Sequence, residues 1–304
     1  MKLTELGEDG LLKLIRGMSG ITDNDVSYIR LGESLLLLKI DGGAFSRTKM
    51  KFMTYYDVGW RTTVGALSDI YVKLGKPIAL VSSITARRSL EVNDVMSVAR
   101  GIMDAGNRYG APLIGGDLNE GDDDVIDIAV LGIAEREIGR QPRPGDSLVT
   151  IPLFGFNGLG FKLWDTAHED PTVRRGINML KRPELPMNVY DSVGRLGTCI
   201  TASIDSSDGL GRALHIMGEK SRIIITQLPA PQEVIEAANR FGASIEELVF
   251  NAGEEYLPIF SVSHDCVDEF LRLGMIEFAK VEEGRGVQYN GGELMYKGWE
   301  YFVN

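Results

Sequence analysis

Apolar positions along the first half of the chain alternate between a helical and a strand-like period. Leu11, Leu12, Leu14 and Ile15 fall on roughly one face of a short helix over residues 6–18. Residues 27–30 and 34–40 read as strands, and Leu31-Gly32-Glu33 between them suits a hairpin turn. Asp41-Gly42-Gly43 is expected to end the second of them. Val64, Leu67, Ile70, Tyr71 and Leu74 recur at helical spacing over residues 60–75, where Gly75 and Pro77 supply the stop. A buried-type strand follows at 78–84, then an amphipathic helix at 91–110 carried by Val95, Val98, Ile102 and Ala105. A short strand at 112–114 runs into Gly115-Gly116-Asp117, and 125–134 is a further, partly alternating strand. Helices laid on a sheet in this way predict an α/β fold.

Periodicity breaks at Arg140-Gln141-Pro142-Arg143-Pro144-Gly145, which predicts a boundary between a domain of residues 1–138 and one of 139–304. Beyond it, 147–153 restarts as a strand and Asn157-Gly158-Leu159-Gly160 reads as a flexible turn. Arg182-Pro183-Glu184-Leu185-Pro186 is a second break. Helices are expected at 210–217 and 231–241, with strands at 222–226 and 257–262. The chain shows no internal repeat and no low-complexity segment.

Composition narrows the function classes. The 304 residues are 44% hydrophobic and 25% charged, as in a globular protein with a substantial core. The net charge of −11 argues against general nucleic-acid binding, which needs a basic surface. No apolar run is long enough to span a bilayer, so no membrane partner is expected. Met1-Lys2-Leu3-Thr4-Glu5 lacks an apolar signal region, and a cytoplasmic location is expected. Cys199 and Cys266 have no metal-binding spacing and read as reduced, buried thiols. His168, His215 and His264 are scattered, so histidine-based chemistry is not expected.

The chemistry lies in three acidic segments. They are Ala66-Leu67-Ser68-Asp69-Ile70, Ile114-Gly115-Gly116-Asp117 and Ile204-Asp205-Ser206-Ser207-Asp208-Gly209-Leu210. Each alone has a bland reading: a turn at Gly115-Gly116-Asp117, a helix cap for Asp205 and Asp208, and a solvated helix face for Asp69. Together they suit a polyphosphate held through Mg2+, which takes hard oxygen ligands from one or two carboxylates plus substrate phosphates. The chain has neither G-x-x-x-x-G-K-[ST] nor G-x-G-x-x-G, so a nucleotide would be bound through carboxylates and metal, not a P-loop lysine.

In order along the chain, these and neighbouring motifs resemble the thiamine-monophosphate kinases of the aminoimidazole ribonucleotide synthetase superfamily. The likeness runs from Leu6-Gly7-Glu8-Asp9-Gly10-Leu11 and residues 20–26 through Gly59-Trp60 and Arg143-Pro144-Gly145-Asp146. It continues to Ala252-Gly253-Glu254-Glu255-Tyr256 and Lys297-Gly298-Trp299-Glu300-Tyr301-Phe302. The resemblance implies two α/β domains, an N-terminal mixed sheet with helices on one face and a C-terminal α/β domain. It also implies a homodimer and Mg2+-assisted transfer of a phosphoryl group from ATP to thiamine monophosphate. It makes Asp25, Asp41, Asp69, Asp117, Asp205 and Asp208 metal ligands. Gly116, Asp117, Arg140 and Ser207 would contact ATP, and Glu254 and Trp299 would face the thiamine moiety.

Two departures stand out. The family's Ser/Thr-Thr-Asp is Lys39-Ile40-Asp41 here, which replaces hydroxyls by a cation. Residues 42–52 contain no counterpart of the family's substrate-facing histidine. Two other readings therefore compete: an ATP-dependent enzyme of the same superfamily with a different acceptor, and a non-catalytic nucleotide-binding paralogue.

Overall fold

The computed structural model describes residues 2–19, 21 and 23–302. Gly20 and Thr22, within the resemblance at residues 20–26, lie outside the described residues. The first half runs α1 (Leu3–Ser19), β1 (Ser27–Leu31), β2 (Ser34–Ala44), α2 (Phe45–Thr48), α3 (Tyr55–Val72), β3 (Lys76–Ala86), α4 (Val92–Arg108), β4 (Leu113–Glu120) and β5 (Val125–Ala134). Its five strands form a mixed sheet in the order β1-β2-β5-β3-β4, in which only β3 and β4 run parallel. Residues 135–146 form no helix or strand.

The second half runs β6 (Ser147–Thr150), α5 (Phe156–Leu163), α6 (Pro171–Lys181), α7 (Met187–Val193), β7 (Ile200–Asp205), α8 (Leu210–Met217), β8 (Arg222–Ile225), α9 (Gln232–Phe241), α10 (Ile245–Phe250), β9 (Pro258–Val262), α11 (Val267–Arg272), β10 (Ile276–Glu282), β11 (Gly286–Tyr289) and β12 (Gly292–Glu293). Its seven-stranded sheet has the order β12-β11-β8-β10-β6-β9-β7. The α/β fold expected from the periodicity is present, with helices on two sheets.

Helix α3 organises the molecule. Thr54 and Asp57 form a reciprocal capping box at its start, where each side chain bonds the other's backbone N–H. Residues on every side of it are buried, which marks a helix enclosed by other elements. Leu67 and Ile70 pack with Ile128 and Val130 of β5, in a hydrophobic cluster that continues to Phe260 and Val262 of β9. The helix thus lies between the two sheets, and its polar residues face whatever the sheets present to it.

Four expectations need correction. Asp41-Gly42-Gly43 does not end β2; the strand continues to Ala44 because β5 pairs with it from Leu35 to Ala44. Gly115-Gly116-Asp117 is not a loop but lies within β4, paired with Val81, Ser82 and Ser83 of β3. Asn157-Gly158-Leu159-Gly160 is buried within α5, not a flexible turn. Its glycines serve close helix packing, since a Cβ on Gly160 would lie 2.8 Å from the backbone of Gly176 in α6.

Cys199 and Cys266 are not reduced thiols. They form a disulfide with Cα atoms 6.0 Å apart across a sequence separation of 67. A pairing this distant leaves no mark in local spacing. A cross-link over such a loop restricts the unfolded chain by roughly 4 kcal/mol in the chain-entropy treatment. Among the described residues, no helix is long and apolar enough to cross a membrane.

Candidate active site

One face of α3 gathers most of the predicted carboxylates. Arg61, Gly65, Ser68, Asp69 and Lys73 recur at three- and four-residue steps, so they form one polar stripe on an otherwise apolar helix. Each meets a charged or polar group from a neighbouring element. Arg61 Nη1 lies 3.2 Å from Glu254 Oε2. Gly65 leaves room for Asp41, whose Oδ2 would be 3.2 Å from a Cβ there. Ser68 donates its hydroxyl to Asp205 at the end of β7. Asp69 Oδ2 lies 2.7 Å from Lys39 Nζ, and Lys73 Nζ lies 2.8 Å from Asp25 Oδ2. From residue 65 to 73 the helix rises about 12 Å, so four of the six aspartates line a short stretch of one helix.

The crowding shows in the electrostatics. Burial pushes the Asp41, Asp69 and Asp205 carboxyls above the ordinary carboxylate range. The Asp205 charge raises Asp69 further, and the Asp25 charge raises Asp205, while Lys39 pulls Asp41, Asp69 and Asp205 back down. Burial lowers the Lys39 pKa, but Asp69 and Asp41 outweigh it and the net shift is upward, so Lys39 is charged. Asp208 touches solvent but is closely surrounded by protein; burial and the nearby Glu8 charge raise its carboxyl to about 7.

Two cavities meet at the β7–α8 loop. One, of about 760 Å3, is lined by Asp25, Lys39, Asp69, Arg140 and Asp205. The other, of about 480 Å3, is lined by Arg47, Arg61, Glu254, Trp299 and Tyr301. Ser207 and Asp208 line both. Their consecutive carbonyls fix the far wall: Ser207 accepts from the Glu254 N–H at 2.6 Å and Asp208 from the Trp299 N–H at 2.9 Å. Ser207 also donates its hydroxyl to Asp205 Oδ1 at 3.0 Å. Glu254 and Tyr256 both have left-handed backbone, with φ of 63° and 52°, a costly conformation for non-glycine residues that concentrates at functional sites.

Gly116 and Asp117 are not brought to this place. Asp41, Ile128, Ser82 and Gly116 form one row across the sheet, so Gly116 is three strand spacings, about 14 Å, from Asp41. Asp117 falls in the next row with Gly42 and Asp127, on the face turned away from α3, and is exposed on the edge strand.

The donor set suits a hard cation: carboxylate oxygens gathered together, those of Asp41, Asp69 and Asp205 deeply buried. As the side chains stand, no three described histidine, cysteine, aspartate or glutamate residues gather closely enough to hold a metal ion. Two ammonium groups, Lys39 and Lys73, pair with the carboxylates instead.

Residues 23–134 match the family described as "AIR synthase related protein, N-terminal domain". The chain is 39% identical to the thiamine-monophosphate kinase of Pyrobaculum calidifontis over 97% of its own length and 95% of that protein. The chain belongs to the thiamine-monophosphate kinase family. The family's enzyme from Aquifex aeolicus is 28% identical over 99% of this chain and all of that protein. A solved family structure, AaThiL complexed with AMPPCP and TMP, superposes with a TM-score of 0.88, at 28% identity and 99% coverage of both chains.

Several residues of this candidate site carry no motif in the sequence. Lys73 sits at the C-terminal end of α3, four residues after Asp69, and Arg61 is eight before it. A stripe of polar residues spaced by four through an apolar helix was the available signal. Asp23, which pairs with Arg140, and Tyr256, which donates to Glu254, had no comparable signal.

Proposed function

We infer that this chain is an ATP-dependent kinase that converts thiamine monophosphate to thiamine diphosphate. The observation that carries the reading is the shared wall at Ser207 and Asp208 between a cavity rich in carboxylates and an aromatic one. The first takes the nucleotide phosphates: Arg140 and the Ser207 hydroxyl contact them. The second takes the acceptor. Trp299 and Tyr301 offer aromatic faces to its rings, Glu254 and Asp208 suit its thiazolium charge, and Arg47 and Arg61 suit its phosphate. The named relatives and the AMPPCP- and TMP-bound structure support this assignment.

In the reaction, an acceptor phosphate oxygen attacks the γ-phosphorus of ATP as the bond to the β-phosphate oxygen breaks, releasing ADP. The acceptor is already ionised near neutral pH, so no general base is required. Asp41, Asp69 and Asp205, with Asp25 and Asp208 beside them, would hold magnesium, which when bound neutralises phosphate charge and lets two anions approach in line. The protein's contribution is position: the loop carrying Ser207 and Asp208 borders both cavities, so the acceptor phosphate and the γ-phosphate meet in line beside it.

The reading includes a homodimer. Leu38, Ile40, Val81, Leu131 and Ile133 form an exposed apolar patch on the outer face of the N-terminal sheet, and patches of this kind mark interfaces. A second copy would cover it. It would also bring Gly116 and Asp117, three strand spacings from Asp41 in their own chain, toward a nucleotide. The division into domains of 1–138 and 139–304 belongs to the same reading, as does a cytoplasmic location. For the latter, the disulfide withdraws the argument from reduced cysteines.

The deciding assay supplies ATP, Mg2+ and thiamine monophosphate and follows ADP and thiamine diphosphate, beside a panel of other phosphorylated and amide acceptors. ADP release with another acceptor only would replace the substrate. Tight ATP binding without turnover on any acceptor would replace the enzyme by a binding protein.

A further inference from the structure

We propose that Lys39 is a resident cation of the phosphate cavity, standing where a further divalent ion would otherwise be held and donating directly to the nucleotide's phosphates. The role rests on the kinase reading and deepens it.

A lysine in the run Leu35-Leu36-Leu37-Leu38-Lys39-Ile40 is costly to bury unless its charge is matched. It is matched here. Lys39 projects from β2 toward α3, with Nζ 2.7 Å from Asp69 Oδ2; the side chains are 23% and 6% exposed. Asp41, two residues along the same strand, and Asp205, from β7, act on the same ammonium. Lys39 also lines the cavity shared with Arg140 and Asp205, so the partly exposed ammonium can reach a ligand there.

Lys73 is a useful contrast. Its side chain is fully buried, fixed by Asp25 at 2.8 Å and by the Ser203 carbonyl at 2.6 Å, and it does not line the cavity. It is a structural counter-ion. The two ammoniums together leave Asp25, Asp41, Asp69 and Asp205 with the charge that a single divalent ion balances. Removing the Lys39 charge leaves more negative charge than a single divalent ion balances, and frees the space beside Asp69 for a further ion.

The test counts bound Mn2+ by electron paramagnetic resonance with AMPPCP, whose methylene bridge blocks transfer. Lys39→Thr is expected to bind one more Mn2+ per chain than the unmodified protein, whereas Lys39→Arg, which keeps the charge, retains the original count. An equal count in Lys39→Thr and the unmodified protein overturns the proposal. A second measurement needs no variant: AMPPCP with Mn2+, at concentrations that saturate binding, should slow reductive methylation of Lys39 at least several-fold relative to Mn2+ alone, read by mass spectrometry. Unchanged modification overturns the direct phosphate contact. Failure of the unmodified protein to bind AMPPCP even with Mn2+ would overturn the kinase reading itself, and this role with it; that outcome is distinct from binding with an unaltered metal count.

Discussion

Lys73 Nζ lies 2.8 Å from Asp25 Oδ2, with the lysine side chain fully buried and the aspartate side chain 6% exposed. The pair joins the C-terminal end of α3 to the segment before β1. An ion pair this deep is a weak source of net stability, but breaking it by removing one partner strands a charge in the interior. Lys73→Met should therefore lower the unfolding free energy by about 3–5 kcal/mol. The double variant Lys73→Met/Asp25→Asn should recover a large part of that loss, because no unmatched charge remains. Urea unfolding of the two variants beside the unmodified chain checks this; additive losses would mean that the two side chains do not act as a pair.

Glu255 gives the clearest pH dependence outside the phosphate cavity. Its side chain is buried and one oxygen accepts the Gly155 N–H at 2.8 Å. Burial raises its carboxyl well above the ordinary glutamate value. For an acid whose folded pKa is raised, the stabilising contribution is complete below the unfolded value. It is lost as pH rises from there through the folded value, because the unfolded chain ionises more easily. Glu255→Gln removes that dependence. Its melting temperature relative to the unmodified protein should rise steadily from about pH 5 to pH 8, starting from the unfolded glutamate value near 4.3. A difference that stays flat over this range would show that Glu255 ionises in the fold without penalty.

Local periodicity foretold much of the first sheet where a turn signal or a helix stop marks a strand's start, as Gly32 does before β2 and Gly75 before β3. The strand expected at 125–134 is β5, and the hairpin expected at Leu31-Gly32-Glu33 joins β1 to β2. What periodicity could not carry was pairing at a distance. The extension of β2 to Ala44 depends on β5, some eighty residues later, and the Cys199–Cys266 link depends on the whole second sheet. The same limit applies to the candidate site. The motifs point to the aspartates one by one, but that Asp25, Asp41 and Asp205 face the side of α3 that carries Asp69 follows only from the packing of that helix between two sheets. Asn157-Gly158-Leu159-Gly160 was misread because glycine serves both turns and close helix contacts, and only the neighbouring helix tells them apart.

Trp299 should govern the acceptor and not the nucleotide. It is 43% exposed, lines the cavity that also contains Glu254, and stands edge-on to Tyr301 with ring centroids 6.0 Å apart. An aromatic face attracts a cationic heterocycle by roughly 0.5–2 kcal/mol. Trp299→Ala should therefore raise KM for thiamine monophosphate by up to about tenfold or somewhat more, with KM for ATP nearly unchanged. Steady-state kinetics with each substrate varied in turn make the comparison. If both constants hold and only the melting temperature falls, Trp299 is a packing residue, and the acceptor must be sought with other heterocycles.

The last prediction turns on Asp117, which lies on the outer face of an edge strand, three strand spacings from Asp41. If it contacts a nucleotide, that nucleotide must be bound chiefly by another copy of the chain. Asp117→Asn and Asp205→Asn each remove one carboxylate charge at nearly constant shape, so each should cut turnover by roughly 100-fold or more where charge stabilisation by a bound metal is worth several kcal/mol. The melting temperature of Asp117→Asn should not change, since the side chain is exposed and, among the described residues, bonds only Asn119, at 3.0 Å. Asp205→Asn should also leave the fold intact, because it relieves a crowded, buried charge. Mixing the two inactive proteins under conditions that exchange subunits should restore activity. A mixed dimer contains one site in which Asp205 from one chain and Asp117 from the other are both intact. Analytical ultracentrifugation confirms exchange between tagged copies. Should exchange occur and activity stay at the level of the separate variants, the site is complete within one chain. The role assigned to Asp117 would then pass to residues already facing α3.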